Sequence, residues 1–171
     1  MEITLSRIAS REKTNQTIKR IAYEIAEDNS DEQEIILAGI CKQTEGYILA
    51  EALYGELKKI IPTHISLTNI ELNKSDPGQS PVEMLLSEND INNKVIILVD
   101  DVSNTGRTLL YAIKPFLEYS PKKISCAVLV ERKHKLFPIT PDYVGLSLST
   151  TFQEHIQVIL SNNDTKGIYL K

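Results

Sequence analysis

Five consecutive apolar residues, Val95-Ile-Ile-Leu-Val99, stand between Lys94 and the acid pair Asp100-Asp101. A strand with one wet face alternates polar and apolar side chains. This run does not, so both of its faces must be covered, as in the inner strands of a parallel sheet packed between helices. Ile35-Ile36-Leu37-Ala38, within residues 34–40, states the same requirement a second time. The neighbouring segments have helical spacing. Over residues 14–28 the apolar positions Ile18, Ile21, Ala22, Ile25 and Ala26 line one face of a helix. Residues 46–61 repeat the pattern through Leu49, Ala52, Leu53, Leu57 and Ile60, and Pro62 ends it. A third helix is expected over 105–119, with Pro115 placed to kink it or end it early. Further strands are expected over 64–72, 124–130, 142–148, 156–160 and 167–170. Alternating strands and helices specify an α/β fold, a mostly parallel sheet flanked by helices, in a single domain over 1–171.

Composition narrows the class. With 42% hydrophobic and 25% charged residues in 171, the chain can bury an ordinary core, which excludes wholesale disorder. No apolar run approaches the ~20 residues of a membrane span, and no signal-like apolar core precedes the first helix. Cys41 and Cys126 have neither metal nor redox spacing, so a cytoplasmic location is expected. A net charge of −4 argues against general polyanion binding, although a local basic face would not show in the sum. Residues 73–93 form the exception to the regular pattern. Ser75, Asp76, Pro77-Gly78, Gln79, Ser80 and Pro81 read as a long loop, which inside a compact domain is usually a lid or a disordered segment.

The informative stretch is where the five-residue run ends. A buried strand delivers Asp100 and Asp101 at its carboxyl end, and three residues lead to Thr105-Gly106-Arg107-Thr108, where a helix begins. Ligands of open α/β sheets bind at that end of the strands. A helix start offers unpaired N–H groups and partial positive charge, hydroxyls add donors, and Gly106 allows close approach, so the place suits a phosphate. Paired carboxylates suit the two hydroxyls of a ribose, or a divalent cation. Together they describe a site for a sugar phosphorylated at one end. Taken alone, two acids after a strand are more often a helix cap and a solvated neighbour; the complete string is far more specific.

That string, Asp-Asp-Val-Ser-Asn-Thr-Gly-Arg-Thr108 after its apolar strand, closely resembles the phosphoribosyl-diphosphate (PRPP) motif of type I phosphoribosyltransferases. Ala127-Val-Leu-Val-Glu-Arg-Lys-His-Lys-Leu-Phe-Pro-Ile-Thr-Pro-Asp-Tyr-Val-Gly145 is similar to the matching stretch of the bifunctional pyrimidine-operon attenuator/uracil phosphoribosyltransferases. The resemblance implies a Rossmann-like core, a flexible loop and a small hood over the base. It implies transfer of ribose 5-phosphate from PRPP to a nucleobase, with Mg2+ as cofactor and pyrophosphate released. Asp100 and Asp101 would hold the ribose hydroxyls and, indirectly, the metal. Ser103, Asn104, Thr105, Gly106, Arg107 and Thr108 would hold the 5-phosphate; Val144, Gly145 and Arg132 would belong to the base and hood region. A homo-oligomer, dimer or tetramer, is expected by the same resemblance.

Several positions depart from that pattern. The pyrophosphate loop of such enzymes carries a short basic run, whereas Cys41-Lys-Gln-Thr-Glu45 is two residues longer and has Glu45 where arginine is usual. A carboxylate facing pyrophosphate would repel it, leaving Lys42, Gln43 and Thr44 as the contacts. Lys74 is the only lysine or arginine between Lys59 and Lys94, which makes it the candidate to close over the reaction. Purine enzymes of this kind have an acid two residues before the motif's glycine; Asn104 stands here, which favours uracil over a purine. In the attenuator family a His, an Arg and a Lys face RNA, and Tyr23, Asp28 and Leu146 occupy those positions, so RNA binding is not expected. The alternatives are a PRPP-sensing RNA attenuator without turnover and a purine transferase. His64 and His155 read as surface or structural residues, His134 as part of a turn or of the hood, and Cys41 lacks a local partner for nucleophilic chemistry.

Overall fold

The computed structural model describes residues 5–151 and 154–171, and the run 95–99 lies at the middle of its main sheet. In chain order the elements are β1 (Ser6–Ala9), α1 (Arg11–Asp28), β2 (Glu34–Ile40), α2 (Glu45–Ile60), β3 (His64–Glu71), β4 (Glu83–Met84), α3 (Glu88–Ile91), β5 (Val95–Ser103) and α4 (Arg107–Ile113). A 3-10 turn over Lys114–Glu118 follows, then β6 (Lys123–Arg132), β7 (Tyr143–Leu148), β8 (Ile156–Ile159) and β9 (Gly167–Leu170). The main sheet has six strands in the order β4-β3-β2-β5-β6-β7, all parallel except β4. Among the described residues no helix is long and apolar enough to cross a membrane.

The period of two sorts the inner strands onto two cores. Leu37, Ile97, Val99 and Leu129 pack with α1 and α2 through Ile21, Ile25, Leu49 and Leu53. Ile36, Ile96, Leu98 and Val128 pack on the other face against Ile91, Leu109 and Phe116. All five residues of 95–99 are fully buried, as a strand apolar on both faces requires.

Other boundaries differ from the sequence reading, each for a local reason. α1 begins at Arg11 rather than at 14, because the Ser10 hydroxyl caps it by accepting from the Lys13 N–H at 3.2 Å. Residues 73–93 are not all loop: β4 pairs antiparallel with β3, and α3 is closed by a capping box in which the Asp90 carboxylate accepts from the Ser87 N–H and hydroxyl. The third helix starts at Arg107 and stops at Ile113, and the chain then tightens around Pro115, which has no N–H to continue the ladder. β1 leaves no strand signature in the sequence, since three of its four residues are exposed and show no apolar period. It pairs with β9, and β9 with β8, in a small antiparallel sheet whose Val158 and Ile168, with Leu160 just past β8, join the α1–α2 core.

Gly145, expected in the base and hood region, has a packing role. A Cβ there would fall 2.3 Å from the Leu129 carbonyl oxygen and 2.7 Å from the Thr17 methyl, so β7 lies too close to β6 and α1 for any side chain. Because the obstructing atom is backbone of an inner strand, we predict that Gly145→Ala costs about 1–3 kcal/mol of stability. Urea unfolding checks this; a midpoint equal to wild type would mean that β7 can shift freely.

Candidate functional site

Strand order locates the crevice. From β2 the chain crosses to β3 on one side, and from β5 to β6 on the other, so the connections diverge between β2 and β5. That divergence is where open α/β sheets bind ligands. β2 ends at Ile40, level with the end of the 95–99 run (Gly39 pairs with Val99), while β5 continues to Ser103 beside β6 alone. The acids Asp100 and Asp101 therefore emerge where β2 has turned aside.

The two acids differ in surroundings. The Asp100 side chain is only 3% exposed, and its Oδ1 accepts from the Lys74 ammonium at 2.7 Å and from the Asp101 N–H at 3.0 Å. Asp101 is 22% exposed, with Lys74 at 3.6 Å. Burial, reinforced by the neighbouring Asp101 charge, pushes the Asp100 carboxyl up to about 8 against the opposing pull of Lys74. Burial alone would lower the Lys74 ammonium, but the two carboxylates outweigh it and hold it above its ordinary value. A Cβ on Gly46 would fall 2.5 Å from Asp100 Oδ1, so the start of α2 abuts this acid.

On one side of the acids lies the loop 41–45. Cys41 takes a left-handed backbone (φ 58°), held by its N–H on Ile70 O at 2.8 Å and its thiol on Leu72 O at 3.3 Å. Burial pushes that thiol up, which agrees with a structural cysteine. Lys42 and Gln43 are exposed, and the Lys42 N–H donates to Glu71 Oε1 at 2.8 Å. The Thr44 hydroxyl is within 3.0 Å of the carbonyls of Ile40 and Cys41, so it holds the loop's own shape. Glu45 corrects the sequence expectation. Its carboxylate turns away from the acids and accepts from the N–H groups of Leu160 and Ser161 and from the Ser161 hydroxyl, at 2.7, 3.1 and 2.6 Å. It ties the start of α2 to the chain just past β8, with three donors satisfying its charge.

On the other side, the strand-to-helix turn 103–108 encloses a cleft of about 70 Å³, nearer the scale of one phosphate group than of a nucleotide. Gly106 has φ 84°, and a Cβ there would meet the Ile139 methyl at 2.8 Å, so glycine is required both by backbone and by contact. The turn is buttressed from behind: Thr105 O accepts from the N–H groups of Leu136 and Phe137, and Lys135 Nζ donates to Ser103 Oγ at 2.8 Å and to Asn104 O at 3.2 Å. Sequence reasoning missed Lys135; its charge carried no signal apart from its neighbours. Residues 132–136 and the turn enclose a second cleft of about 370 Å³. Two larger hollows of about 550 Å³ lie under 81–86 and between α1 and α2, remote from the acids, so volume does not identify the site here.

Segment 71–78 crosses the front. Besides the Lys74 and Glu71 contacts, the Asp76 carboxylate lies 3.5 Å from the Arg107 guanidinium, and Gly78 faces the Tyr111 ring. Arg132 is buried, with its guanidinium on Thr150 Oγ1 and Thr151 O. The carbonyls of Val144 and Gly145 accept from Arg20, which also pairs with Glu24. Val144 itself packs with the α4 core. His134 Nε2 lies 3.0 Å from Thr150 O. Thus Asp100, Asp101, Lys74, the loop 41–45 and the turn 103–108 converge, whereas Val144, Gly145 and Arg132 are engaged in packing and backbone bonds.

Comparison with known proteins agrees with this geometry. The phosphoribosyl transferase domain family matches residues 4–162. The Bifunctional protein PyrR of Macrococcus caseolyticus is 34% identical over 164 residues, spanning 92% of this chain and 93% of its own. The protein of the same name from Streptococcus pneumoniae (strain CGSP14) is 38% identical over 151 residues, 86% of this chain and 85% of its own. Among solved structures, the hypoxanthine phosphoribosyltransferase of Trypanosoma cruzi superposes with a TM-score of 0.75 at 19% identity, over 96% of this chain and 95% of that one. A hypoxanthine-guanine phosphoribosyltransferase of Bacillus anthracis gives 0.71 at 21%, over 89% and 87%. At such identities the structures speak for the fold.

Two outcomes follow from the site. Removing the carboxylate in Glu45→Ala leaves backbone donors of Leu160 and Ser161 without it, and we predict a loss of about 1–2 kcal/mol in urea unfolding, less for Glu45→Gln. Unchanged stability would show that the tie does not matter. Asp100 has an ordinary value of 3.8, raised in the fold to about 8. The folded chain holds that proton more tightly than the unfolded one, so its contribution is present below 3.8 and lost as pH rises through about 8. Asp100→Asn should therefore gain on wild type in unfolding free energy across that window; parallel curves would place the same charge on Asp100 in both states.

Proposed function

The chain belongs to the phosphoribosyl transferase domain family, and on that premise we propose that it transfers the ribose 5-phosphate of PRPP to uracil and releases pyrophosphate. The observation that carries the reading is the convergence of Asp100 and Asp101 with a glycine-bearing turn on one side and the loop 41–45 on the other. In the reaction the bond from ribose C1 to the pyrophosphate oxygen breaks, a bond from C1 to a ring nitrogen of the base forms, and the nitrogen's proton leaves. Asp100 and Asp101 bind the two ribose hydroxyls. Ser103, Asn104, Thr105, Gly106, Arg107 and Thr108 cradle the 5-phosphate through backbone N–H groups, hydroxyls and the guanidinium. Lys42 and Gln43 take the pyrophosphate, with Thr44 shaping the loop, and Lys74 reaches the same crevice from segment 71–78.

A Mg2+ requirement fits these residues. Among the described residues no three His, Cys, Asp or Glu side chains group to hold a metal by themselves. Mg2+ commonly takes one or two carboxylates and completes its shell with water and substrate phosphates, and Asp100 and Asp101 provide that share. When bound, the metal draws off charge that develops on the departing pyrophosphate.

Uracil as acceptor is supported by Asn104, whose amide cannot serve as a proton acceptor near neutral pH, and by the resemblance of residues 127–145 to uracil enzymes. The hypoxanthine enzymes that share the fold do so at 19–21% identity and leave the base open. The relatives are named bifunctional; for this chain we propose catalysis without RNA attenuation. Tyr23 and Asp28 are exposed and not basic, and Arg20 is engaged with Glu24 and two carbonyls. Binding of an RNA hairpin depends on neutralising phosphates with available cations.

Pyrophosphate release with PRPP, Mg2+ and a panel of bases tests the reaction: uracil should turn over fastest, and faster turnover of hypoxanthine would overturn the choice of base. Asp100→Asn with Asp101→Asn should fold and lose PRPP binding by calorimetry; affinity like wild type would make both acids structural. In a gel-shift titration against a pyrimidine-operon leader hairpin at ~0.15 M salt, where exposed charges are screened, binding should be weak and indifferent to sequence. Tight, sequence-dependent binding would restore the attenuator reading.

A further inference from the structure

We infer that Glu71, Lys74 and Asp76 form an internal mimic of metal-bound PRPP, and that the substrate binds by displacing them. The inference rests on the transferase reading and assigns roles to Glu71 and Asp76, which that reading leaves unused.

Three contacts carry it. Glu71 Oε1 accepts from the Lys42 N–H at 2.8 Å, placing a carboxylate oxygen on the loop that would bind pyrophosphate. Lys74 Nζ lies 2.7 Å from Asp100 and 3.6 Å from Asp101, placing a cation on the acids that would face ribose and metal. The Asp76 carboxylate lies 3.5 Å from Arg107, placing an anion beside the turn that would hold the 5-phosphate. Along the crevice the charges run anion, cation, anion, the order presented by pyrophosphate, divalent cation and 5-phosphate in the bound substrate.

The Lys74 ammonium lies on the two acids, the place a divalent cation would take. The Glu71 contact is also held in place: the same Oε1 accepts from Asn69 Nδ2 at 2.8 Å. Displacement is feasible because Lys74 remains 33% exposed, and Arg107 and Asp76 are 41% and 50% exposed. A site whose open form is a minor fraction binds with its affinity reduced by that fraction. Each mimic residue therefore weakens binding of the ligand group it imitates.

The test matches Glu71 and Lys74 each to its ligand group and changes Asp76 together with them. Pyrophosphate is titrated calorimetrically in EDTA, and Mn2+ is titrated without PRPP by electron paramagnetic resonance. Glu71→Gln should tighten pyrophosphate by about fivefold or more and leave Mn2+ within about twofold; Lys74→Gln should tighten Mn2+ by about fivefold or more without tightening pyrophosphate. Unchanged or weaker binding in either matched pair overturns the mimic. If Glu71→Gln does not fold, Glu71→Ala replaces it. PRPP with Mg2+ is titrated in parallel against wild type and the triple variant Glu71→Gln, Lys74→Gln, Asp76→Asn. Absence of PRPP binding in both, with the matched gains present, overturns the transferase reading and leaves the charge assignments standing.

Discussion

Parallel strands end together, and here the different lengths of three of them create the crevice. β2, β5 and β6 are paired in register from their starts, but β2 stops at Ile40 while β5 runs four residues past Val99 to Ser103. The overhang leaves Asp100 and Asp101 with a neighbour on one side only. Everything at the site is arranged about that overhang: the loop 41–45 fills the place β2 vacates, the 103–108 turn caps β5, and segment 71–78 crosses from β3. A shorter β5 would remove the acids. A longer β2 would pair with them and close the crevice.

Burying an acid at the end of an apolar strand is costly, and the molecule offsets the cost with local partners. Asp100 is nearly inaccessible, next to Asp101 and against Gly46, and its proton affinity is raised accordingly. A core residue would not be chosen this way, since an apolar side chain would pack there without penalty. The Lys74 ammonium and the Asp101 N–H supply what stabilisation the carboxylate receives. A ligand bearing hydroxyls or a cation would do the same. Lys135 has a parallel task behind the turn, satisfying Ser103 Oγ and Asn104 O so that the N–H side of the turn is left for an anion.

Glu45 and Gly145 show that surroundings, not position in the chain, set what a residue does. Glu45 looks hostile to pyrophosphate by position, yet its side chain finds three donors just past β8, 115 and 116 residues away in sequence. Gly145 looks like a hood glycine, yet what requires its missing side chain is the approach of Leu129 and Thr17. Arg132 is similar: a basic residue near the base region whose guanidinium is buried on Thr150 and Thr151. For Glu45 and Arg132 the direction of the side chain decides what it binds, and for Gly145 the lack of a side chain decides what can pack against it.

The α/β class, the inner strands and the acid pair followed from sequence alone, because burial on both faces and strand-to-helix punctuation are local patterns. The runs 34–40 and 95–99, the turn around Gly106 and the early stop at Pro115 needed no distant information. β1 left no such pattern, being an exposed edge strand defined only by its partner β9. The capping box at Ser87 and Asp90 was present in the sequence but masked by the turn-rich composition around it. What only the tertiary structure decided was direction: Glu45 toward β8, Lys74 toward the acids, Glu71 toward Lys42 N–H. Those directions depend on donors and charges brought together by strand order, and sequence spacing carries no record of which side chain will meet them.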